Sequence, residues 1–274
     1  MPHIAVAPYT ASGGGGIDRR NPRPERALEI SVRLLVIIPA FNEQEALGGL
    51  LAELQALAAT KLGVDLEMVV VDDGSTDRTP EVALEGGARL LRLCRNLGIG
   101  GAVQAGLQLA HRERFDFAVQ IDGDGQHPPT ELHRLLEAAR AATGPDLVIG
   151  TRYGLVKDGF QSTALRRLGS SWLRWILRLV TRLRVTDPTS GFRLYGARAL
   201  RLFSETYPYD FPEPESLAMA RAAGLVVTEV PVTMRERQGG RSSISGYKSV
   251  YYMLKVTIAV VLAYARTPRR PAGG

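Results

Sequence analysis

The sequence predicts an α/β fold in which a mostly parallel sheet carries helices on both faces. Short runs rich in β-branched residues alternate with longer runs of helical apolar spacing through the first half of the chain. Several of the short runs lead directly into charged or glycine-rich loops. Because the carboxyl ends of parallel strands meet at one edge of a sheet, these loops should form a nucleotide-sized crevice there.

The composition is that of an ordinary globular protein with a basic surface. The chain has 274 residues, 45% of them hydrophobic, and a formal net charge of +6. This charge favours an anionic partner, and a sugar nucleotide, an anionic lipid and a nucleic acid all qualify. The one cysteine, Cys94, excludes an internal disulfide. It follows an apolar run, so a buried thiol in a reducing cytosol is expected.

The chain is expected to divide into three segments. Residues 1–30 are rich in Gly, Arg and Pro and have no periodic apolar face, which predicts a flexible tail without a signal peptide. Residues 31–243 should form the α/β domain. Residues 244–274 are predicted to hold an amphipathic C-terminal helix and a short tail.

The first strand is predicted over Arg33–Ile38, and Pro39 ends it. Asn42 should cap the next helix, whose leucines have helical spacing. The pattern also predicts strands over Leu66–Val71, Ala88–Leu93, Asp146–Ile149 and Val226–Val232, and helices over Ala102–His111, Pro129–Ala142 and Gln161–Arg184, with a further helix ending at Ala223.

The strand Phe117–Ile121 leads into two carboxylates, Asp122 and Asp124, with a glycine after each. Two carboxylates this close repel each other unless a cation or a proton lies between them. Their oxygens suit Mg²⁺ or Mn²⁺, and Mg²⁺ commonly joins one or two carboxylates to substrate phosphates. The alternative is a polar turn that binds nothing.

Two stretches in the second half favour a membrane surface. The helix Gln161–Arg184 should have one apolar side, which includes Trp172 and Ile176, and a side rich in arginine. That basic side either lies on lipid headgroups or an acceptor phosphate, or is the solvated face of a core helix. Val250–Tyr264 is apolar but shorter than the ~20 residues of a bilayer crossing, so an interfacial helix is expected.

Seven motifs occur in order: IPAFNEQEAL, VVVDDGSTD, LCRNLGIGGAVQAG, QIDGDGQHPP, IGTRY, DPTSGFRLY and RQGGRSSI. Together, over about Val32–Lys255, they resemble the family-two inverting glycosyltransferases, and most of all the dolichol- or polyprenyl-phosphate mannose or glucose synthase branch. The resemblance implies a GT-A fold, a GDP- or UDP-hexose donor, and Mg²⁺ or Mn²⁺. It also implies a polyprenyl phosphate or glycan acceptor, a site at the cytosolic membrane face, and no nucleic acid partner.

The resemblance also implies roles for individual residues. The nucleoside is expected at Pro39, Ala40 and Glu43, with Asp73 near the base and ribose. The metal is expected at Asp122, Asp124 and Gln126. A phosphate should contact Arg152, and a mobile loop that closes over the diphosphate should carry Arg237 and Ser242. Asp124, Glu215 and Arg237 are the predicted catalytic residues.

The need for a general base depends on the acceptor. A hydroxyl acceptor needs a carboxylate to take its proton, and Glu213 and Glu215 stand where relatives carry an acidic residue. Of the two, Glu215 is favoured. A lipid phosphate is already an anion and needs no base, in which case both residues would orient or cap a helix. His127 is expected to orient its loop by hydrogen bonding.

Other classes are disfavoured. A nucleotidyltransferase would carry a glycine-rich Arg/Lys signature after its first strand, where this chain has Pro39–Glu43. The stretch Gly98–Val103 lacks the third glycine of a dinucleotide fingerprint. Many synthases of the branch carry transmembrane helices after the catalytic domain. None is evident here, so peripheral attachment is expected. A saccharide acceptor and a catalytically dead binding module remain as alternatives.

Overall fold

The structure is a computed structural model that describes residues 32–60, 62–141, 144–153, 164–235 and 248–268. In the two helices that begin at residues 164 and 248, side chains are described from residues 169 and 253 onward. The strands are β1 (Arg33–Ala40), β2 (Asp65–Asp72), β3 (Arg89–Arg92), β4 (Phe117–Gln120), β5 (Leu147–Thr151), β6 (Arg193–Tyr195) and β7 (Val227–Pro231). The helices are α1 (Gln44–Ala58), α2 (Thr79–Glu85), α3 (Gly98–Arg112), α4 (Leu132–Ala139), α5 (Ala164–Thr181), α6 (Ala197–Glu205), α7 (Pro212–Ala222) and α8 (Lys248–Arg266).

The described strands form one sheet in the order β3-β2-β1-β4-β6-β5-β7. β6 runs antiparallel to β4 and β5, and the other neighbouring pairs are parallel. The chain builds outward from β1 to β3 and then crosses back to place β4 on the other side of β1. Such a reversal separates the loops at the carboxyl ends of the two strands, and ligands bind in the crevice between them. The crevice therefore lies between the ends of β1 and β4.

Helices cover both faces of the sheet, as the sequence predicts. In β1, Leu35 and Ile37 point into a core shared with α3 and α5–α8. The alternate residues Leu34, Val36 and Ile38 point into a second core, shared with α1, α2 and α4. All five side chains are fully buried, which explains why this strand is an uninterrupted apolar run rather than an alternating one.

Several local expectations are wrong. Asn42 does not cap α1, since its backbone has a positive φ of 56° and the N-cap position is Glu43. Cys94 is exposed rather than buried, because it lies in the loop beyond the end of β3. The helix α3 begins at Gly98 rather than Ala102. The helix α6 has no counterpart among the predicted elements.

The C-terminal helix α8 packs against α7 and α5. The predicted division of the chain at residues 243 and 244 stays a prediction. Among the helices of the described ranges, none has the length and hydropathy that a bilayer crossing requires.

Candidate active site

The end of β4 holds the first carboxylate of the acidic pair in a fixed position. The buried Gln120 donates its side-chain amide to Asp122 Oδ1 at 2.9 Å. The backbone N–H of Asp122 donates to His127 Nδ1 at 3.1 Å, so the other ring nitrogen of His127 carries the proton. His127 is buried and stacks on Phe192 with ring centroids 5.2 Å apart. It thus orients its loop by hydrogen bonding, as expected.

The second carboxylate lies in the same loop and is held by Gln126. The Gln126 backbone N–H donates to Asp124 Oδ1 at 3.1 Å, and its side-chain amide donates to Oδ2 at 2.6 Å. Gly125 turns the chain with a φ of +74°, a conformation that side chains disfavour. The three predicted metal ligands are therefore brought into one tight loop, and Asp122 and Asp124 are both partly exposed.

The chemistry of this loop fits a hard divalent cation. Two carboxylates and the amide oxygen of Gln126 are oxygen donors of the kind that Mg²⁺ and Mn²⁺ prefer. Within the described ranges, no cluster of three or more His, Cys, Asp or Glu side chains is suited to hold a metal. A cation at Asp122 and Asp124 would therefore need further ligands from water or a bound diphosphate, as Mg²⁺ sites commonly do.

The predicted nucleoside residues lie directly against the acidic loop. A Cβ added to Gly123 would stand 3.2 Å from the Pro39 carbonyl oxygen, 3.6 Å from Ala40 Cβ and 3.6 Å from Glu43 Cγ. The glycine thus allows the loop after β4 to approach the end of β1 closely. The structure brings together Pro39, Ala40, Glu43 and the acidic pair, as the crevice between the two strands requires.

The loops after β1 and β2 bind each other through side chains. The Asn42 backbone N–H donates to Ser75 Oγ at 3.0 Å, and Asn42 Oδ1 accepts the Thr76 backbone N–H at 2.9 Å. The Glu43 backbone N–H donates to Thr79 Oγ1 at 2.9 Å. The N-terminus of α1 is therefore held by the loop after β2 and the first residue of α2, on the side of the crevice where the nucleoside is predicted.

Asp73 has a different immediate partner from the one the resemblance implies. Its buried carboxylate accepts the Leu97 backbone N–H at 2.6 Å and the Gly98 backbone N–H at 2.8 Å. A negative charge at the N-terminus of α3 is favourable because the helix dipole and the unpaired N–H groups attract it. Asp73 therefore fixes α3 beside the crevice, and its contact with base and ribose stays a prediction.

Arg152 forms a two-pronged ion pair with a buried acid. Its Nε and one terminal nitrogen donate to the two oxygens of Asp187, each at 2.7 Å. The same terminal nitrogen donates to Thr189 Oγ1 at 3.1 Å. Asp187 is 1% exposed, and this bonding raises the pKa of Arg152 above its usual value. The predicted phosphate contact of Arg152 stays a prediction, and its bonds to Asp187 also hold the 187–191 segment.

That segment reaches the acidic pair at Gly191. A Cβ on Gly191 would stand 2.7 Å from Asp122 Oδ2 and 3.0 Å from the Gln120 side-chain nitrogen. Any residue larger than glycine here would press on the carboxylate. The five residues 187–191 therefore connect Arg152, which binds Asp187, to Asp122, which lies against Gly191.

Of the two candidate bases, Glu213 is the one whose pKa is affected by the acidic pair. Burial raises the pKa of Glu213, Arg193 lowers it, and the negative charge of Asp122 raises it further. Glu215 instead accepts the Phe211 backbone N–H at 2.9 Å, which caps its own helix α7. The pKa of Glu215 is also raised by burial, and the neighbouring charge that acts on it is Asp210. Of the two, Glu213 is the one whose pKa Asp122 affects, which makes it the better candidate for a base at the crevice.

A fully buried arginine connects these parts. Arg193 donates to the Ser190 carbonyl at 2.7 Å, to Ser216 Oγ at 2.6 Å and to the Glu213 carbonyl at 2.9 Å. It is 0% exposed, and within the described ranges it forms no salt bridge. Its guanidinium therefore joins the 187–191 segment to the N-terminus of α7 and supplies positive charge behind the crevice.

The loop predicted to carry Arg237 and Ser242 lies outside the described residues. The chain leading to it is described as far as Arg235, whose backbone N–H donates to the Gln126 carbonyl at 2.9 Å. Its guanidinium pairs with Glu53 of α1 at 2.7 Å. The chain therefore enters the predicted loop beside the acidic pair.

Four positioning residues are absent from the set predicted from sequence: Gln120, Asp187, Gly191 and Arg193. Three of them belong to the motif DPTSGFRLY, which carries no residue of that set. Gln120 could have been found from the sequence, because a polar residue in a strand that is predicted to be buried needs a hydrogen-bond partner.

The mostly parallel sheet, with an acidic pair at its switch point, places the protein among the GT-A glycosyltransferases. More narrowly, the chain belongs to glycosyl transferase family 2, whose model matches residues 35–205. The expected fold class, family and enzyme class are thereby confirmed.

The names of two relatives refer to undecaprenyl phosphate and to polyprenol. The undecaprenyl-phosphate mannosyltransferase of Micrococcus luteus is 35% identical over 78% of this chain and 88% of its own length. The polyprenol monophosphomannose synthase of Mycolicibacterium smegmatis is 32% identical over 89% of this chain and 90% of its own. These relatives match the branch that the motifs indicate.

Solved structures support the fold. Glucosyl-3-phosphoglycerate synthase from Mycobacterium tuberculosis, solved with Mn²⁺, UDP and glucosyl-3-phosphoglycerate, superposes with a TM-score of 0.64 at 21% identity, covering 89% of this chain and 82% of that one. Mannosyl-3-phosphoglycerate synthase from Rubrobacter xylanophilus gives a TM-score of 0.61 at 18% identity, covering 89% and 79%.

Proposed function

We propose that this protein is a metal-dependent, inverting glycosyltransferase. It transfers a hexose from a nucleoside-diphosphate sugar to polyprenyl phosphate at the cytosolic face of a membrane. The observation that carries the proposal is the acidic pair Asp122 and Asp124, held in one loop at the switch point of the sheet. The names of these relatives support the acceptor class.

The residues of the crevice suit this reaction. The nucleoside lies against Pro39, Ala40 and Glu43, which places the diphosphate beside the acidic loop. A divalent cation bound to Asp122, Asp124 and Gln126 would stabilise the negative charge that develops on the leaving diphosphate. The bond between the anomeric carbon and the diphosphate oxygen breaks, and its electron pair stays on the diphosphate. A phosphate oxygen of the acceptor attacks the opposite face of the sugar.

Positive groups around the crevice assist both phosphates. Arg152 lies on the rim and keeps a rigid orientation through Asp187, and a planar guanidinium of this kind binds phosphate oxygens well. The predicted loop with Arg237 and Ser242 follows the segment bonded to Gln126, so closing it would cover the diphosphate and exclude water. Asp124 and Arg237 are the residues on which leaving-group stabilisation depends most.

A second acceptor class has one observation in its favour. Glu213 lies where its pKa responds to Asp122, and a partly buried carboxyl of raised pKa is suited to accept a proton from a hydroxyl. Transfer to a saccharide or another hydroxyl acceptor is therefore the alternative. With polyprenyl phosphate no proton has to be removed, and Glu213 then shapes the charge of the crevice.

The test is a transfer assay with radiolabelled GDP- and UDP-hexoses, in which polyprenyl phosphate and soluble glycans are offered separately. Label should enter the lipid fraction, and label that enters only the glycan would refute the acceptor. Asp124→Asn should abolish transfer, because it removes one charge from the acidic pair. Asp65→Asn is the matched control, since Asp65 is exposed at the amino end of β2. Unchanged turnover in Asp124→Asn would refute the metal assignment.

A further inference from the structure

Helix α5 has an apolar face that the core leaves uncovered. Leu173, Ile176 and Leu177 are buried in the core. Trp172, Trp175 and Leu179 lie on the other side and are 43%, 53% and 64% exposed. The apolar spacing predicts Trp172 and Ile176 on one side, and the structure separates them. Two exposed tryptophans on one helix are unusual for a surface in contact with water alone.

Helix α8 continues this face. Its buried side includes Val256 and Val260, whereas Leu254 and Ile258 are 59% and 51% exposed. Val261 and Leu262 extend the exposed stripe by one further turn. The Trp172 indole N–H donates to Thr257 Oγ1 at 3.1 Å, so the two exposed stripes adjoin. Half of the exposed large hydrophobic side chains in the described ranges lie on these two helices.

A cavity rimmed by arginine lies at the C-terminal end of α5. It has a volume of about 300 Å³, and its lining comprises Arg174, Trp175, Arg178, Leu183, Arg184 and Val185. Arg178 and Arg184 are exposed, and in the part of the chain that the structure describes neither forms an ion pair. Neither α5 nor α8 contains an acidic residue. The cavity therefore combines an apolar wall with uncompensated positive charge.

We propose that α5 and α8 form a membrane-docking face that binds an anionic phospholipid bilayer. The face consists of Trp172, Trp175, Leu179, Leu254 and Ile258, and the arginine-rimmed cavity receives a phospholipid phosphate. Charge complementarity decides the occupant. A second copy of the chain would oppose arginines to arginines, whereas anionic headgroups neutralise them. Tryptophan favours the headgroup level of a bilayer, because its ring is apolar and its N–H is polar.

The docking face lies beside the crevice. Arg184 is three residues before Asp187, the partner of Arg152. The Arg174 guanidinium lies 6.0 Å from the ring centroid of Tyr153, the residue next to Arg152. A bilayer on this face would therefore meet the protein next to Arg152, the arginine proposed to contact phosphate. In this respect the inference rests on the proposed function, since it explains how a lipid acceptor reaches the site.

The two tryptophans of the chain give a direct readout, because both belong to this face. Vesicles of phosphatidylglycerol and phosphatidylcholine should shift their fluorescence to the blue, and brominated lipid should quench it. Vesicles of phosphatidylcholine alone should bind at least tenfold more weakly. No shift with anionic vesicles would overturn the proposal. So would a chain that sediments as a dimer with tryptophan fluorescence already shifted before lipid is added.

Two matched pairs of variants separate charge from apolar contact. Arg178→Gln with Arg184→Gln should weaken binding to anionic vesicles by roughly 25-fold, about fivefold for each arginine. Arg114→Gln with Arg201→Gln, which removes two exposed arginines elsewhere, should change it less than threefold by the same reasoning. Leu179→Glu should abolish the blue shift, whereas Leu84→Glu, at an equally exposed leucine of α2, should not. Equal effects within either pair would overturn the docking face.

An activity measurement keeps this inference separate from the proposed function. The docking variants should retain transfer to a short, water-soluble polyprenyl phosphate in the absence of vesicles. If they lose that transfer as well, the arginines serve the crevice and the docking role is wrong. If the unmodified protein fails to use this acceptor yet binds anionic vesicles as predicted, the proposed function fails and the docking face stands.

Discussion

Replacing Glu213 with glutamine tests whether the reaction uses a general base. The change keeps the shape of the side chain and removes a carboxyl whose pKa Asp122 raises. A general base typically contributes 10²–10⁴ in rate, which corresponds to about 2.7–5.5 kcal/mol of activation free energy. A phosphate acceptor carries its own charge and needs no proton removed. Transfer to polyprenyl phosphate should therefore fall less than tenfold, or by under about 1.4 kcal/mol.

The stability of the same variant has a predictable dependence on pH. Since burial raises the pKa of Glu213, the folded state binds its proton more tightly than the unfolded chain does. Its favourable contribution to the free energy of unfolding is therefore complete below the unfolded pKa, and it is lost as pH rises through the folded pKa. Glutamine stays neutral throughout. The Glu213→Gln variant should melt at the same or a higher temperature than the unmodified protein at about pH 8, with no advantage near pH 4.

Glu215→Gln is the matched control. It removes a charge on the same helix, and its amide oxygen can still accept the Phe211 backbone N–H. Transfer to polyprenyl phosphate should be unchanged. The assay is the rate of label transfer between about pH 5 and 9, with thermal denaturation over the same range. A loss of 10²–10⁴ in Glu213→Gln alone would refute the base-free reaction. The same loss in Glu215→Gln alone would restore the assignment made from sequence.

Three further predictions concern the support of the acidic pair. Gly191→Ala should lower metal affinity about 10–100-fold, because its Cβ would push the Asp122 carboxylate out of its position. The melting temperature should stay nearly constant, since the Cβ presses on the end of a side chain and not on backbone. Unchanged metal affinity, measured by calorimetry with Mn²⁺, would contradict this. Arg193→Met should lower the free energy of unfolding by about 3 kcal/mol, since it leaves buried acceptors unpaired; a urea midpoint equal to that of the unmodified protein would count against the role given to this arginine. Chelation with EDTA should stop transfer and Mn²⁺ or Mg²⁺ should restore it, and transfer that continues in EDTA would exclude a metal-dependent reaction.

The elements that the sequence predicted well are those whose pattern is local. The buried run of β1 and the leucine spacing of α1 follow from residues adjacent in the chain, so composition and period suffice to predict them. The acidic pair was also evident, because a buried strand that ends in two close carboxylates, Asp122 and Asp124, favours a cation at the sheet edge. The approach of Gly191 was not evident, since this residue reaches Asp122 only when β6 pairs with β4.

The sequence could not predict which face of α5 is buried. In α5 the apolar residues are too numerous for one stripe, and nothing local says which of them the neighbouring helices cover. Packing against α7 and α8 buries Leu173 and Leu177 and leaves Trp172 and Trp175 outside. The choice between Glu213 and Glu215 had the same origin. Glu213 and Glu215 are only two residues apart on α7, but their side chains have different surroundings, which only the folded protein defines.

The sequence by itself determined the alternation of strands and helices, the acidic loop at the end of β4, and the family to which the chain belongs. These depend on residue type and spacing, which short-range sterics and burial translate directly into structure. Only the tertiary structure decided which carboxyl group has a pKa that Asp122 raises, why position 191 is glycine, and which side of α5 stays exposed. Each of these is a contact between residues far apart in the chain, and no local pattern encodes the distance between them.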